Sequence, residues 1–440
     1  MKPPVHGTPR LMRAINDRAA LRILLEKGPL TRPELSELTG LSKPTAFQLL
    51  ARLQEAGLVV GDGVRAGQPG RTAEVYRVNG AAAYVVALDV TPERIGVQVA
   101  DLTGAVVGET TSPAPASGPS GPSREGDLSQ AGDLSQANGL SPEGGGLVER
   151  LRAAIAAARP PGPPHRVVIG VQGAVDPTTG RLDYATADDM PGWQIPDLVP
   201  TLTAGLCVPV DVENDVNLVA LAEQAHGAAT GCQDFVLLWA GEGLGAALVI
   251  GGRLHRGFFG GAGEVGYMPV PGAATARDGG RFADHGYQAL AGGPAVHDLL
   301  RSYGVHGAGF RESVANAVRL AEGTGRAAEE AAAGLRTVAA RIALGLATIA
   351  SVVDPGLVVL AGSLVSAGGE RLRDLVEREL RVLDVERLRV RLSAVQGNPV
   401  LVGALDLALA RVRDEVFGQT ARDGGPAAPA HVRDRGIDGT

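Results

Sequence analysis

Residues 31–60 read TRPELSELTGLSKPTAFQLLARLQEAGLVV, and this stretch decides the fold of the N-terminal part of the chain. It begins Thr31-Arg32-Pro33-Glu34, a Thr-x-x-Glu capping box that predicts the start of a helix. Leu35 and Leu38 are the apolar positions that we expect this helix to bury. Gly40 then ends the helix, as the short turn between two crossed helices requires.

A second helix is predicted directly after this turn. Ser42 is a good N-cap, and Pro44 is tolerated in the first helical turn. Gly57 ends the helix. Apolar residues recur at helical spacing and predict a buried stripe, formed by Ala46, Leu49, Leu50 and Leu53. The pair therefore has the pattern of a helix-turn-helix.

Polar residues of the second helix lie off the buried stripe, where a recognition helix would meet DNA. They are Ser42, Lys43, Thr45, Gln48 and Arg52. Phe47 is also off the stripe. It could contact a thymine methyl group or pack against an upstream helix at about residues 13–27, and we favour packing. A winged helix that binds another protein is the alternative to DNA binding.

The segment after the helix pair, GDGVRAGQPGRTAEVYRVN, predicts a β-hairpin wing. Glycines keep its tip slim. Arg65 and Arg71 at this tip could reach phosphates or a minor groove. We therefore predict a winged helix-turn-helix DNA-binding domain over residues 11–80.

Charge is distributed unevenly between this domain and the rest of the 440-residue chain. The net charge is −7, yet residues 1–80 hold 12 Lys and Arg against 7 Asp and Glu, a net of +5. The remaining residues carry a net of −12. A basic head on an acidic body suits a DNA-binding domain joined to a sensor or an enzyme.

Cysteine content and hydropathy bear on the cellular compartment of the protein. The two cysteines, Cys207 and Cys232, are far apart and give neither a disulfide framework nor a multi-cysteine zinc site. We see no uncharged apolar run of about 18 residues and no signal-peptide layout. The sequence therefore favours a cytoplasmic protein without a membrane partner.

Residues 81–417 alternate short apolar strands with helices, which predicts an α/β body with mixed sheets. Residues 112–146 are rich in Ser, Pro and Gly and repeat GDLSQA in tandem, so we predict a disordered insertion there. Residues 418–440 are predicted to form a disordered tail.

Six short sequence features follow one another along the body. They are Asp89 after the first strand, GVQGAVD at 170–176, MPGW at 190–193, VENDVN at 212–217, GEGLG at 241–245 and GGAGEVGY at 260–267. In order and spacing they resemble the ROK family of repressors and sugar kinases. The resemblance implies an actin/hexokinase-like body of two subdomains, and the winged head resembles the repressor branch of that family.

The resemblance also implies roles for individual residues. Asp215 matches the catalytic aspartate of the kinases, and Asn214 and Glu264 match ligands of sugar hydroxyl groups. Asp189 stands where the family commonly has an asparagine, and Tyr267 stands where it has a zinc-binding histidine. We take these five residues as the candidate effector site.

Departures from the family pattern affect the phosphate and zinc sites. The first phosphate loop contains Thr91-Pro92-Glu93, and the second is Gly241-Glu242-Gly243, so each gains an anion where phosphate would bind. No cysteine occurs after Cys232, and the zinc motif would fall on residues 280–289. In that register the last glutamate of the motif, a sugar ligand, becomes Ala289.

We therefore expect a DNA-binding regulator, a repressor of carbohydrate-related genes, without a cofactor, a metal ion or kinase activity. Its expected partners are an operator, a sugar or sugar-phosphate effector and further copies of itself in a dimer or tetramer. The alternatives are an active ATP-dependent sugar kinase, which could be bifunctional, and a body that only dimerises.

Overall fold

The structure is a computed structural model of the chain, and it describes residues 9–66, 72–113, 142–183, 190, 192–275, 285–385 and 387–419. The head consists of three helices and a three-stranded antiparallel sheet of order β1-β3-β2. Its elements are α1 (Pro9–Lys27), β1 (Leu30–Thr31), α2 (Arg32–Thr39), α3 (Lys43–Glu55), β2 (Val59–Ala66) and β3 (Thr72–Val78). The predicted winged helix-turn-helix is confirmed within these residues.

The capping box and the turn glycines predicted from the sequence begin and end the helices of this motif as expected. The carboxylate of Glu34 accepts hydrogen bonds from the backbone N–H and the hydroxyl of Thr31, at 2.7 and 2.8 Å. Gly40 and Gly57 take positive φ angles of 68° and 71°, which glycine adopts without strain. Leu38 was wrongly predicted to be buried. It is 48% exposed because the two-turn helix α2 packs against its neighbours through Leu35, which is 1% exposed.

The first lobe of the body is built on a five-stranded sheet of order β10-β7-β4-β5-β6. Strands β4, β7 and β10 are parallel, whereas β5 and β6 complete an antiparallel meander. The elements are β4 (Tyr84–Val90), β5 (Arg94–Asp101), β6 (Val106–Pro113), α4 (Pro142–Ala157), β7 (Arg166–Val171), the hairpin β8 (Ala174–Val175) and β9 (Leu182–Asp183), α5 (Leu198–Leu206), β10 (Val210–Asn214) and α6 (Asp215–His226).

The second lobe repeats this plan in a sheet of order β13-β12-β11-β14-β15. Its first strand again pairs with an antiparallel meander on one side and with parallel strands on the other. The elements are β11 (Phe235–Ala240), β12 (Leu244–Ile250), β13 (Arg253–His255), α7 (Gly286–Ala291), α8 (Gly293–Ser302), α9 (Phe310–Leu320), α10 (Arg326–Val353), β14 (Leu357–Ala361), α11 (Ser363–Val382) and β15 (Arg389–Leu392). The predicted mixed α/β architecture is confirmed.

The last helix, α12 (Pro399–Gln419), returns to the first lobe and packs on α6, β4 and β7. Its C-terminal residues Val412 and Phe417 belong to one apolar cluster with Leu21 and Leu50 of the head. The head and the first lobe therefore share a continuous core.

The predicted insertion at 112–146 has boundaries that are too wide. Strand β6 extends to Pro113 because it pairs with β5 along its whole length, and helix α4 begins at Pro142. The remainder, residues 114–141, lies outside the described residues. The predicted tail begins at 418, whereas α12 extends to Gln419 and residues 420–440 lie outside the description.

Helix α10 is long and apolar enough to span a membrane by length and composition. However, its residues Leu335, Val338, Ile342 and Leu346 are fully buried in the core of the second lobe. Packing of this kind is typical of a core helix of a globular domain.

Candidate functional site

Helix α3 presents most of the predicted DNA-binding residues on one exposed surface. Its N-cap, Ser42, accepts a hydrogen bond from the N–H of Thr45 at 3.4 Å. Leu49, Leu50 and Ala46 are at most 1% exposed and fix the opposite side in the core. The side chains left exposed are those of Ser42, Lys43, Thr45 and Gln48.

Arg52 is placed differently from the other predicted DNA-binding residues. Its guanidinium donates to Oδ1 of Asp17 on α1 at 2.7 Å, and Asp17 is only 3% exposed. Burial raises the pKa of Asp17, although the charge of Arg52 acts in the opposite direction. Arg52 therefore neutralises a buried carboxylate of the head.

Arg65 is held beside the start of α2. Its guanidinium donates to Glu34 at 2.9 Å and to the carbonyl of Pro29 at 3.2 Å. Hydrogen bonds from Thr31 and the nearby Arg65 hold the pKa of Glu34 below its usual value. Arg71 lies outside the described residues.

Phe47 does not pack against the upstream helix as we favoured from the sequence. Its ring is 52% exposed. The guanidinium of Arg32 lies over it at 4.7 Å from the ring centroid. An apolar ring is thus presented on the same helix as the exposed polar residues.

A polar cleft lies in the body, in a cavity of about 630 Å³ lined by residues of both lobes. Four of the five predicted effector residues line it: Asn214, Asp215, Glu264 and Tyr267. The fifth, Asp189, lies outside the described residues. The cleft forms because β10 ends at Asn214 while the turn between β11 and β12 and the loop after β13 approach from the second lobe.

Asn214 is largely occupied by the fold. Its side-chain oxygen caps α6 by accepting from the N–H of Asn217 at 3.1 Å, and its amide donates to the carbonyl of Gly173 at 3.1 Å. Asn214 therefore positions the start of α6 and the turn after β7 around the cleft.

Asp215 and Glu264 form an electrostatically coupled pair. Burial, and secondarily the charge of Asp89, raises the pKa of Asp215 to about 7, against a hydrogen bond from the N–H of Val216. Burial and the charge of Asp215 raise the pKa of Glu264 to about 7 as well. Two neighbouring carboxyl groups that titrate near neutrality can both donate and accept hydrogen bonds to hydroxyl groups.

A second cavity of about 410 Å³ adjoins the cleft and shares Asp215 with it. Its floor includes Asp89, which is 4% exposed and accepts from Arg94 at 2.9 Å and from Asn398 at 2.7 Å. The side-chain oxygen of Asn398 accepts from the N–H of Val400 at 3.0 Å and so caps α12. One asparagine thus links the cleft to the helix that reaches the head.

Helix α12 contacts the head at its other end. Arg18 of α1 forms an ion pair with Asp414. The guanidinium of Arg413 donates to the carbonyls of Leu102 and Thr103 at 3.0 and 2.9 Å, which ties the same turn to the body. A single rigid element therefore connects the two regions.

The turn between β4 and β5 and the turn between β11 and β12 both face the cleft. Glu93 and Glu242 both line the larger cavity. The hydroxyl of Thr91 donates to Glu93 at 3.0 Å. One carboxylate from each lobe therefore faces the same cavity.

Gln288 is a cleft residue that the sequence analysis missed. Its side-chain oxygen accepts from the N–H of Leu244 at 2.8 Å, and its amide donates to the carbonyl of Glu242 at 3.0 Å. Ala289, which we had assigned to the sugar-ligand position, is not among the lining residues. The helical geometry of α7 turns Gln288 rather than Ala289 toward the cleft.

An ion pair between the lobes was also missed. Glu213 at the end of β10 is 8% exposed and accepts from Arg256, which follows β13, at 2.6 Å. It also accepts from the amide of Asn217 at 2.9 Å. No signal in the sequence joins residues that lie 43 positions apart.

Among the residues that the structure describes, no group of three or more His, Cys, Asp and Glu side chains could hold a metal ion. Tyr267 and His285 approach each other with ring centroids 5.6 Å apart at the edge of the cleft.

A winged helix-turn-helix head on a two-lobed body with a polar cleft defines a class of proteins that joins a DNA-binding fold to an actin/hexokinase-like body. The model described as "ROK family" matches residues 145–411, and one described as "Winged helix-turn-helix DNA-binding" matches residues 13–60. The first match covers more than half of the chain. The chain belongs to the ROK family.

Curated relatives include a protein named as a repressor and one named as a transcriptional dual regulator. The chain is 26% identical over 263 residues to the xylose repressor of Bacillus subtilis (strain 168), covering 59% of this chain and 61% of that protein. It is 24% identical over 264 residues to the DNA-binding transcriptional dual regulator NagC of Escherichia coli (strain K12), covering 60% and 59%. The chain thus spans about three fifths of the length of these relatives.

Solved structures of the family share the fold. A ROK family transcriptional regulator, a homologue of the E. coli MLC protein, superposes with a TM-score of 0.65 at 18% identity over 93% of this chain and 99% of the other. The ROK hexokinase of Thermus thermophilus superposes with a TM-score of 0.56 at 25% identity over 75% and 99%. Regulators and kinases therefore share the body seen here.

Proposed function

We propose that this protein is a DNA-binding transcriptional repressor of carbohydrate-related genes. Residues 11–80 would form the DNA-binding domain, and residues 81–417 a kinase-like domain that binds an effector and self-associates. The observation that carries the proposal is the exposed polar surface of α3 on a head that shares its core with a cleft-bearing body. The xylose repressor and the transcriptional dual regulator NagC among the relatives support it.

Two such heads in a homo-dimer or tetramer would bind a palindromic operator, with each α3 in a major groove. Ser42, Lys43, Thr45 and Gln48 are the proposed contacts from α3, and Arg65 and Arg71 those from the wing. We assign Arg52 to stabilising the head because Asp17 engages its guanidinium. A cytoplasmic location follows from this role.

The effector is proposed to be a sugar that binds between the lobes. Asp215, Glu264 and Tyr267 line the cleft and offer groups that bind hydroxyls, and Asp189 belongs to the same proposed set. An effector that binds the closed and open arrangements of the two lobes with different affinities would shift the equilibrium between them. That shift would move the heads relative to one another. Helix α12 is the proposed connection because it runs from Asn398 at the cleft to the head.

The charges around the cleft favour an unphosphorylated sugar. Among the charged side chains that line the two cavities in the described residues, most are carboxyl groups. The single guanidinium, that of Arg94, is paired with Asp89. The lining carboxyl groups belong to Asp89, Glu93, Asp215, Glu242 and Glu264. A sugar phosphate would meet repulsion there.

In vitro selection from a random duplex library, followed by gel shifts with the selected DNA, tests the proposal. We expect one palindromic sequence to be enriched and Lys43→Ala with Gln48→Ala to abolish its binding. Asp298→Asn, on an exposed side chain of the second lobe, is the matched control and should bind normally. Failure to enrich any sequence would refute the proposed function.

The effector is tested by adding neutral sugars and their phosphates to the shifted complex. We expect a neutral sugar to release the protein from DNA, and Glu264→Ala to abolish this release.

Calorimetry without DNA distinguishes a body that binds a sugar from one that only dimerises, because the latter would give no heat with any sugar. Light scattering of the free protein measures the proposed dimer or tetramer.

A sugar kinase is the second candidate because Asp215, the match to the kinase aspartate, lines the cleft. Glu93 and Glu242 oppose it, since phosphoryl transfer needs neutralisation of the phosphate charge. A coupled assay with ATP and a panel of hexoses, pentoses and amino sugars should show no turnover. Turnover that Asp215→Asn abolishes would establish the kinase instead.

A further inference from the structure

Phe47 is the exception among the large apolar residues of α3. Leu49, Leu50 and Leu53 are at most 1% exposed, whereas the Phe47 ring is 52% exposed. It directly precedes the exposed Gln48 and follows Lys43 by four positions, which places it one helical turn further on the same side. The surface of α3 therefore contains one apolar patch among polar groups.

The position of this ring is fixed from the rest of the head. The guanidinium of Arg32, at the start of α2, lies 4.7 Å from the centroid of Phe47 and 5.6 Å from that of Tyr76. Arg32 also donates a hydrogen bond to the hydroxyl of Tyr76, whose own proton goes to Glu74 at 2.6 Å. Cation–π contact and the wing strand β3 together hold Arg32 against one side of the ring.

The environment of the patch indicates what it contacts. Lys43 is exposed on the same helix, and the guanidinium of Arg32, which is ion-paired with Glu74 at 3.7 Å, covers part of the ring. A negatively charged partner is therefore favoured over an apolar protein surface. The major groove of DNA is such a partner, and thymine is the base that presents a methyl group there. Phenylalanine is one of the side chains suited to that methyl group.

We propose that Phe47 determines sequence specificity by contacting a thymine methyl group in each half-site of the operator, with Arg32 as the residue that positions its ring. This inference rests on the proposed DNA-binding function. It adds a specific base and a specific atom group to that function. Cytosine at the contacted position lacks the methyl group and is discriminated against.

Uracil substitution tests the contact because it removes only the methyl group. Each thymine of the selected operator is replaced singly by uracil, and binding of the full-length protein is measured by fluorescence anisotropy. We expect one or two positions in each half-site to lose affinity by about fourfold, the effect of one buried methyl group. In Phe47→Ala the uracil and thymine operators should bind equally at those positions.

Two variants serve as controls for this comparison. Gln48→Ala lowers overall affinity but should keep the uracil effect, since the methyl contact is intact. Arg32→Ala should weaken the discrimination between thymine and uracil. Arg32→Lys should weaken it less, because an ammonium group can also lie over the face of an aromatic ring. Circular dichroism confirms that each head is folded.

The outcomes separate the inference from the function on which it rests. Operator binding with no uracil effect, or with an equal effect in wild type and Phe47→Ala, would overturn the role of Phe47 and leave the repressor function standing. Loss of self-association in Phe47→Ala, with unchanged uracil discrimination, would assign the ring to a second copy of the chain. A protein that selects no DNA refutes both.

Discussion

Asp215 is the residue at which pH acts most directly on this protein. Its pKa is about 7 in the folded protein against 3.8 as an ordinary value, so stability falls as the pH rises between these two pKa values and the loss is complete above pH 7. The neutral form carries no such cost. We expect Asp215→Asn to raise Tm by roughly 3–8 °C at pH 8.5 and by less at pH 5, as measured by calorimetry.

The matched control is Asp298→Asn, whose side chain is 77% exposed. It should leave Tm unchanged at both pH values. A stabilisation by Asp215→Asn that is independent of pH would contradict the proposed cause, because removal of a buried charge must matter most where that charge exists.

Arg52 gives a second prediction at the scale of single residues. Its loss leaves the carboxylate of Asp17 buried without its partner, so Arg52→Met should lower the free energy of unfolding by about 1–3 kcal/mol. The pKa of Asp17 is already raised, and protonation relieves the cost. Denaturant titrations should therefore show a smaller loss at pH 5 than at pH 8, and Gln48→Ala should show none.

Residues whose role depends on near neighbours were predictable from the sequence. The capping box, Gly40, Ser42 and the buried stripe of α3 follow from spacings of three and four residues. Arg52 was not predictable as a structural residue, because its partner lies 35 positions away. Gln288 was missed because one residue of register decides which side chain of α7 faces the cleft.

At the scale of elements, helix α12 makes stabilising contacts at both ends, with the cleft at Asn398 and with the head at Asp414. Asn398 caps it and also binds Asp89, so Asn398→Ala should lower the unfolding free energy by about 1–2 kcal/mol. Asn398→Ser keeps a capping oxygen but lacks the amide, and it should recover about half of the loss. Equal losses in both variants, measured in urea, would show that the cap contributes nothing.

Most strands and helices of the body were predictable, but the arrangement of its sheets was not. Apolar runs separated by turn residues mark β4, β5 and β6 as strands, and the structure pairs them as an antiparallel meander. The equal strand order of the two lobes depends on parallel pairings across long helical connections. Such pairings leave no periodic signal in the chain.

At the scale of the whole molecule, the shared core predicts how the protein unfolds. Phe417 is 2% exposed in a cluster that contains residues of the head. We expect one calorimetric transition for head and first lobe in wild type. Phe417→Ala, which removes about 3–5 kcal/mol of packing, should let the head melt separately. Val382→Ala, at a side chain that is 76% exposed, should leave the trace unchanged.

The uneven charge of the molecule predicts the salt dependence of operator binding. Residues 1–80 carry a net charge of +5 and the remaining residues −12, so the head would attract DNA and the body would repel it. Lys43→Gln should reduce the slope of log affinity against log salt by about one, the value for one lost phosphate contact. Arg301→Gln in the second lobe is the control, and an equal change there would argue against contact through the head.

The repeated strand order of the two lobes sets up a one-to-one relation between the strands of their sheets. In that relation the turn from β4 to β5 is equivalent to the turn from β11 to β12, since each follows the first strand of its sheet. Glu93 and Glu242 occupy these equivalent turns and face the same cavity. One carboxylate from each lobe therefore reaches the same cavity from a topologically equivalent turn, so the two lobes contribute matching negative charge to it.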